Sequence, residues 1–121
     1  MDKLSLITGI ISAFIAVALG AFGAHGLKTR VGPELLAIWQ TAVTYQFFHA
    51  IALIGFGLWL KQAGLQASAA YWCFTLGIVI FSGSLYVLVL TDTKVLGAVT
   101  PIGGVLFLIG WILWLILVVR N

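Results

Sequence analysis

The chain has 121 residues, 63% of them hydrophobic and only 7% charged, against about 25% charged in an average soluble domain. A fold this small could not hide so much apolar surface from water, and its net charge of +3 is too weak and too scattered to track a phosphate backbone. A water-soluble enzyme, a nucleic-acid binder and a disordered tail are excluded, which leaves an integral membrane protein.

The charges fall in clusters: Asp2 and Lys3; Lys28, Arg30 and Glu34; Lys61; Asp92 and Lys94; Arg120. Uncharged stretches run between them at 4–27, 35–60, 62–91 and 95–119, with lengths of 24, 26, 30 and 25 residues. A bilayer core takes about 20 apolar residues per helix, and more where the helix tilts. Each stretch therefore reads as one span. Transmembrane strands would be shorter and would alternate polar with apolar residues. The expected fold is all-α: an integral membrane four-helix bundle with antiparallel neighbours and short loops, one transmembrane domain over residues 1–121.

The first helix is expected over about 4–27. Its apolar region exceeds the roughly 7–15 residues of a signal-peptide core, so it reads as a retained span. Gly9, Ala13, Ala16, Gly20 and Gly23 recur at spacings of four, three, four and three. They form one small-residue face, suited to close packing within the chain or against a second copy, because lipid supplies little hydrophobic drive between helices. His25 is expected to cap or hydrogen-bond in the glycine-rich end of this helix. Gly32-Pro33 punctuates the loop and opens the second helix, about 34–60. Glu34 then sits near a helix N-terminus, where a carboxylate is favoured.

Gln62, Gly64, Gln66 and Ser68 form a polar stretch, so the third helix is expected from about 67 to 91. Its lone Cys73 has no partner for a disulfide and no metal-type spacing, and reads as a small packing residue. The fourth helix, about 95–119, holds Thr100-Pro101-Ile102-Gly103-Gly104. There the proline frees a carbonyl about one turn earlier, a break tolerated where protein or a cavity satisfies it. Gly103 and Gly104 are expected to pack against a neighbouring helix. Trp59, Trp72, Trp111 and Trp114 lie toward one interface and Trp39 toward the other, as anchors. Residues 52–60 (ALIGFGLWL) and 107–115 (FLIGWILWL) match at six of nine positions, which fits either a parallel duplication or chance in a low-complexity sequence.

With four spans both termini share a side. That side carries Lys3, Lys61 and Arg120, and the other carries Lys28, Arg30 and Lys94. The positive-inside rule therefore does not choose an orientation.

Polar groups inside the membrane are costly and mark candidate sites. Depth follows from the helical rise, measured from the face that holds the 28–34 loop. By that rise Gln40 and Thr41 lie about 9–11 Å in, Tyr45 and Gln46 about 17 Å, Ser82, Ser84 and Tyr86 about 8–14 Å, and Thr100 with Pro101 about 8–9 Å. Thr41, Tyr45 and His49 follow at i, i+4 and i+8 on one helix face, and Ser82 and Tyr86 repeat the spacing. These residues form either a cavity open toward that face or a network of interhelical hydrogen bonds.

His25 and His49 lie about 20 Å apart in depth, and no third ligand accompanies either, so no metal or other cofactor is expected. Asp2, Glu34 and Asp92 all sit at interfaces, which counts against a proton-coupled exporter. No Ser-His-acid set, carboxylate pair or cysteine dyad falls at one depth, so no enzyme is expected.

The segments GAFGAHGL (20–27), WQTAVTYQFFHAIAL (39–53), FSGSLYVLVLT (81–91) and LGAVTPIGGVLFLIGW (96–111) carry a likeness of their own. On them the chain resembles the family called "domain of unknown function 423", small four-helix membrane proteins related to the eukaryotic transmembrane protein 256. The resemblance implies an integral membrane protein, of the cytoplasmic membrane in bacteria, with no known reaction, substrate or catalytic residue. The motif residues it points to are Gly20, Gly23, His25, Gly26, Tyr45, Gln46, His49, Ser82, Gly83, Ser84, Tyr86, Thr100, Pro101, Gly103 and Gly104.

The function expected from these features is a non-enzymatic module that self-associates, or binds lipid or a partner protein, and supports membrane integrity. The alternative is a small transporter or channel for an uncharged or weakly charged solute. Membrane lipids and a second copy of the chain are the expected partners.

Overall fold

The computed structural model describes residues 1–121 as four helices: α1 (Asp2–Leu27), α2 (Pro33–Ala63), α3 (Ala69–Thr91) and α4 (Lys94–Arg120). There are no strands. Each helix is long and apolar enough to cross a membrane, with mean hydropathy of 2.2, 1.5, 2.2 and 2.7 over its most apolar window. The fold is an all-α four-helix bundle.

Local chemistry sets the ends. Gly32 is extended and Pro33 opens α2, where the missing N–H is no loss. Gly64 closes α2 at φ 67°, the left-handed region that glycine enters freely. The Leu65 N–H then reaches the Leu60 carbonyl at 3.0 Å and the Gly64 N–H reaches Lys61 at 3.3 Å, so the last carbonyls of α2 are satisfied before the chain turns. Asp92 closes α3 in the same conformation, with Thr93 N–H bonded to the Leu88 carbonyl at 3.2 Å. α2 runs three residues past the expected end at 60, and α3 starts at Ala69 rather than 67, because this cap needs Gly64 and not the charge at Lys61.

Pro101 differs from its expected role. Lys94–Ala98 is a 3₁₀ turn, and the α-helix of the fourth span begins only at Thr100. Pro101 therefore sits in the first turn of that helix, where a proline is at home, and breaks nothing in mid-membrane.

The bundle has a flattened cross-section. In their most apolar windows 44% and 39% of the residues of α2 and α3 are buried, against 22% and 17% for α1 and α4. So α2 and α3 form the centre, while α1 and α4 are outer corners turned to lipid. The matching segments 52–60 and 107–115 sit in different surroundings at two of their shared leucines. Leu53 and Leu60 are wholly buried, whereas their counterparts Leu108 and Leu115 are exposed by 64% and 61%.

α1 packs on α2 through small residues. The buried line on α1 is Ser5, Gly9, Ser12, Ala16 and Gly23, with Ala13 half-buried beside it. A Cβ on Gly9 would sit 2.7 Å from the Ala50 carbonyl oxygen, and one on Gly57 would sit 2.7 Å from that of Asp2. Gly20 faces Val43, and Gly23 makes room for the Trp39 indole. The small face is thus used inside the chain. α4 docks on α3 in the same manner: a Cβ on Gly103 would strike the Phe81 backbone, and Gly110 lies under Phe74. Gly104 is more open, with the Phe81 ring 3.8 Å from where its Cβ would be. Phe81 lies in a π-helical turn of α3, Ile78–Ser82, which interrupts the regular helix where α4 comes closest.

Trp39 is not an interfacial anchor. It is 2% exposed, donates its indole N–H to the Leu19 carbonyl at 2.9 Å and packs against Tyr86. A depth estimate does not say which face of a helix a ring occupies.

Two apolar cores result. One, toward the termini, gathers Leu53, Phe56, Leu60, Tyr71, Phe74 and Phe107. The other, toward the 28–34 loop, gathers Leu27, Trp39, Ala42, Leu85, Leu88 and Val89. Between them lies a belt of buried polar side chains.

Candidate functional site

The belt lies near the middle of α2, whose 31 residues centre on Phe48. Gln46 is its hub. The Gln46 amide nitrogen donates to the Ser12 carbonyl at 3.0 Å and to the Ser12 hydroxyl at 3.4 Å. The Gln46 amide oxygen accepts from the Tyr86 hydroxyl at 2.6 Å. One side chain thus ties α1, α2 and α3 together. The Ser82 hydroxyl, in the π-helical turn of α3, donates to the Ala42 carbonyl of α2 at 2.7 Å. Ser84 shares a 2.6 Å hydrogen bond with Thr100 and so links α3 to α4.

His49 joins α2 to α4. Its Nδ1 lies 2.8 Å from the Tyr45 carbonyl, which can only accept, so Nδ1 carries the hydrogen. Its Nε2 accepts from the Trp111 indole N–H at 3.1 Å. The ring is therefore the neutral Nδ1–H tautomer with both nitrogens engaged. Phe107 stacks on it at 3.6 Å between centroids. In this arrangement no nitrogen of His49 is free for a metal or a solute.

A groove opens to lipid beside this ring. It encloses about 430 Å³ between α2, α3 and α4 and is lined by Tyr45, His49, Phe81, Pro101, Phe107 and Trp111 among others. Its walls are aromatic. The Tyr45 hydroxyl makes no hydrogen bond within the chain, and the residue is 43% exposed.

The predicted polar residues thus separate. Gln46, His49, Ser82, Ser84, Tyr86 and Thr100 form links between helices, in several pairs and not one cavity. Thr41 is exposed and bonds back to Ala37 of its own helix at 3.1 Å. Gln40 faces outward. His25, in the π-helical last turn of α1, is exposed and neither caps nor bonds to the chain, because that turn points it away from the bundle.

Two further links lie nearer the termini, at residues that depth alone does not mark. Ser5 donates to the Leu53 carbonyl at 2.6 Å, and Thr8 shares a 2.9 Å hydrogen bond with Tyr71. Their signal was the i, i+3 and i+7 spacing of Ser5, Thr8 and Ser12. Trp111 is a further partner, of His49, although a tryptophan near a helix end reads first as an anchor.

Chemically the belt is a set of neutral donors and acceptors. It holds no carboxylate: Asp2, Glu34 and Asp92 lie at helix ends. No group of three or more His, Cys, Asp or Glu side chains comes together.

Comparison with known families gives one match of wide coverage. Residues 19–104 match the family described as "Protein of unknown function (DUF423)". The chain belongs to the DUF423 family. A UPF0382 membrane protein of Staphylococcus aureus is 49% identical over 94% of this chain and 93% of its own. Another from Staphylococcus saprophyticus is 43% identical over 94% and 95%, and one from Staphylococcus epidermidis is 46% identical over 94% and 93%. No solved structure matches. This DUF423 chain is thus an integral membrane protein of a family of unknown function. The matched region contains Gln46, His49, Ser82, Tyr86 and Thr100 but ends before Trp111.

Proposed function

We propose that this DUF423 protein is a non-enzymatic module of the cytoplasmic membrane that self-associates and supports membrane integrity. The observation that carries the reading is the outward face of α2. Gln40 and Thr44, one turn apart, are exposed there, and their side chains make no hydrogen bond within the chain. Measured along α2, Thr44 lies about 6 Å from its midpoint and Gln40 about 12 Å. Unpartnered polar groups in hydrocarbon are costly, and amides and hydroxyls are the groups that join helices in membranes. A primary amide carries both donors and an acceptor. It therefore pairs with its own copy across a two-fold axis, where one surface meets itself. The α1 small-residue face, the other candidate for self-association, is already covered by α2.

Native mass spectrometry from mild detergent tests this. The expected result is a defined oligomer that Gln40→Leu combined with Thr44→Val converts to a monomer. A wild-type monomer, with or without a retained lipid, contradicts self-association.

A second reading, a small transporter or channel for an uncharged or weakly charged solute, draws on the 430 Å³ groove beside Tyr45 and His49. Its test is solute flux in proteoliposomes, lost on Tyr45→Phe or His49→Ala; flux indifferent to both changes counts against it.

A further inference from the structure

The Tyr45 groove has features that packing within the chain does not account for. Along α4 it runs from Pro101 to Trp111, about 15 Å by the helical rise. Phe107 and His49 form a nearly closed floor, while Val105 and Leu108 on the rim are 53% and 64% exposed, so the groove opens sideways into the bilayer. Its volume, about 430 Å³, falls within the range of about 300–1,000 Å³ usual for small-molecule pockets. The rings of Tyr45, His49 and Phe107 are nearly parallel, at 8–15° to one another. Flat, offset aromatic surfaces of this kind suit a flat guest.

Two residues of the groove are left unused by the chain. Tyr45 supplies its one hydroxyl side chain, since the His49 nitrogens and the Trp111 N–H are already engaged. The hydroxyl has no partner, and its residue lies about 5 Å from the midpoint of α2, inside a hydrocarbon core about 30 Å thick. No water serves it there. Gly104 is the other. Gly103 beside it is required by the Phe81 backbone, but a Cβ on Gly104 would make only ordinary contact with the Phe81 ring, at 3.8 Å. Glycine weakens a helix. At 104 the missing side chain brings no helix closer and instead keeps the groove open.

We propose that this groove binds a flat, uncharged, lipid-soluble ring bearing an oxygen function, the chemistry of a quinone or a phenol. The ring lies against the aromatic walls, and its oxygen pairs with the Tyr45 hydroxyl, which can donate or accept. A hydrocarbon tail leaves through the side open to lipid. No charged side chain lines the groove, which disfavours an ionic guest. A plain acyl chain would fill the volume but leave the Tyr45 hydroxyl unpaired. The inference rests on neither reading above, because a resident ring requires no second copy and no path across the membrane. Tyr45 is also turned about 100° from Thr44 around α2, away from the proposed contact between copies.

The test uses the full chain in lipid nanodiscs and decyl-benzoquinone as the probe, read by quenching of tryptophan fluorescence. Trp111→Phe identifies the part of the signal that arises in the groove. The expected quenching saturates. Tyr45→Phe weakens binding about twofold to tenfold, the loss of one neutral hydrogen bond. Gly104→Leu, which puts a side chain into the groove, weakens it at least about tenfold. Both variants keep the wild-type unfolding midpoint, since neither removes a contact within the chain. Should Gly104→Leu fail to fold, Tyr45→Phe and the competitors below still decide. Decyl-hydroquinone is compared as a competitor: whichever form binds more tightly supports the proposal and tells whether Tyr45 accepts or donates. Decylbenzene, which has the tail and ring but no oxygen, should compete poorly. Decylbenzene held as tightly as the quinone would mean that any hydrocarbon fills the groove, and overturns the proposal. Quenching that does not saturate, or that is indifferent to Tyr45→Phe, overturns it as well.

Discussion

Gln46 and His49 sit one helical turn apart and serve opposite neighbours. Gln46 reaches α1 and α3, while His49 reaches α4. Interhelical hydrogen bonds in membranes contribute about 0.6 kcal/mol each on average and up to about 1.7. Tyr86→Phe is therefore expected to destabilise the bundle by about 0.6–1.7 kcal/mol, measured by reversible unfolding in mixed micelles. Gln46→Leu should cost more than Tyr86→Phe, because it also leaves the buried Ser12 and Tyr86 groups without a partner. For His49 the prediction concerns the proton's position. Nitrogen NMR of labelled histidine should show hydrogen on Nδ1, and Trp111→Phe should shift the Nε2 resonance while leaving Nδ1 bonded to Tyr45. A spectrum with hydrogen on Nε2 would contradict the assigned geometry. At this scale the sequence was informative about which residues are polar and how deep they lie. It was silent about partners, because the helix face that meets a neighbour depends on the packing of all four. Hence Gln40 and Gln46, six residues apart, differ in role: one faces lipid and the other is the hub.

Between elements, glycine and serine decide how closely helices approach. Gly9 and Gly57 each lie against a backbone carbonyl of the facing helix, which cannot move aside as a side chain can. Gly9→Leu or Gly57→Leu is expected to cost about 1–3 kcal/mol or to part α1 from α2. Gly32→Ala should be silent, since nothing lies within 4 Å of its added Cβ. Thermal unfolding in detergent compares the three directly, and equal losses at all three sites would deny a special role to the α1–α2 contact. The four spans were legible because charges cluster at their ends. The small face is legible as a 3–4 spacing of Gly and Ala, and Ser5 and Ser12 join it because a serine is as compact and its hydroxyl finds a partner on α2. Pro101 shows the limit of local reasoning. A proline within an uncharged run reads as a break, yet a 3₁₀ turn at Lys94–Ala98 moves the helix start up to it.

The whole molecule is a flattened bundle whose polar side chains mostly hold it together. Neutral hydrogen bonds link each pair of touching helices, and two apolar cores lie on either side of the belt. The buried side-chain groups left without a partner are the Thr75 hydroxyl and the Trp114 indole N–H, and Gln40, Thr44 and Tyr45 of α2 are exposed and unpartnered. Charge gave the topology but not the orientation, since basic residues balance across the membrane. Composition likewise gave the class but not the association, because an outward polar face becomes visible only once the inward one is known. Self-association through α2 is the central claim. Its most direct measurement is oxidative cross-linking in native membranes, in the Cys73→Ala background, of Thr44→Cys against Leu108→Cys on the outer face of α4. Dimers forming at 44 and not at 108 are the predicted result. Cross-linking at 44 no faster than at 108 would contradict it.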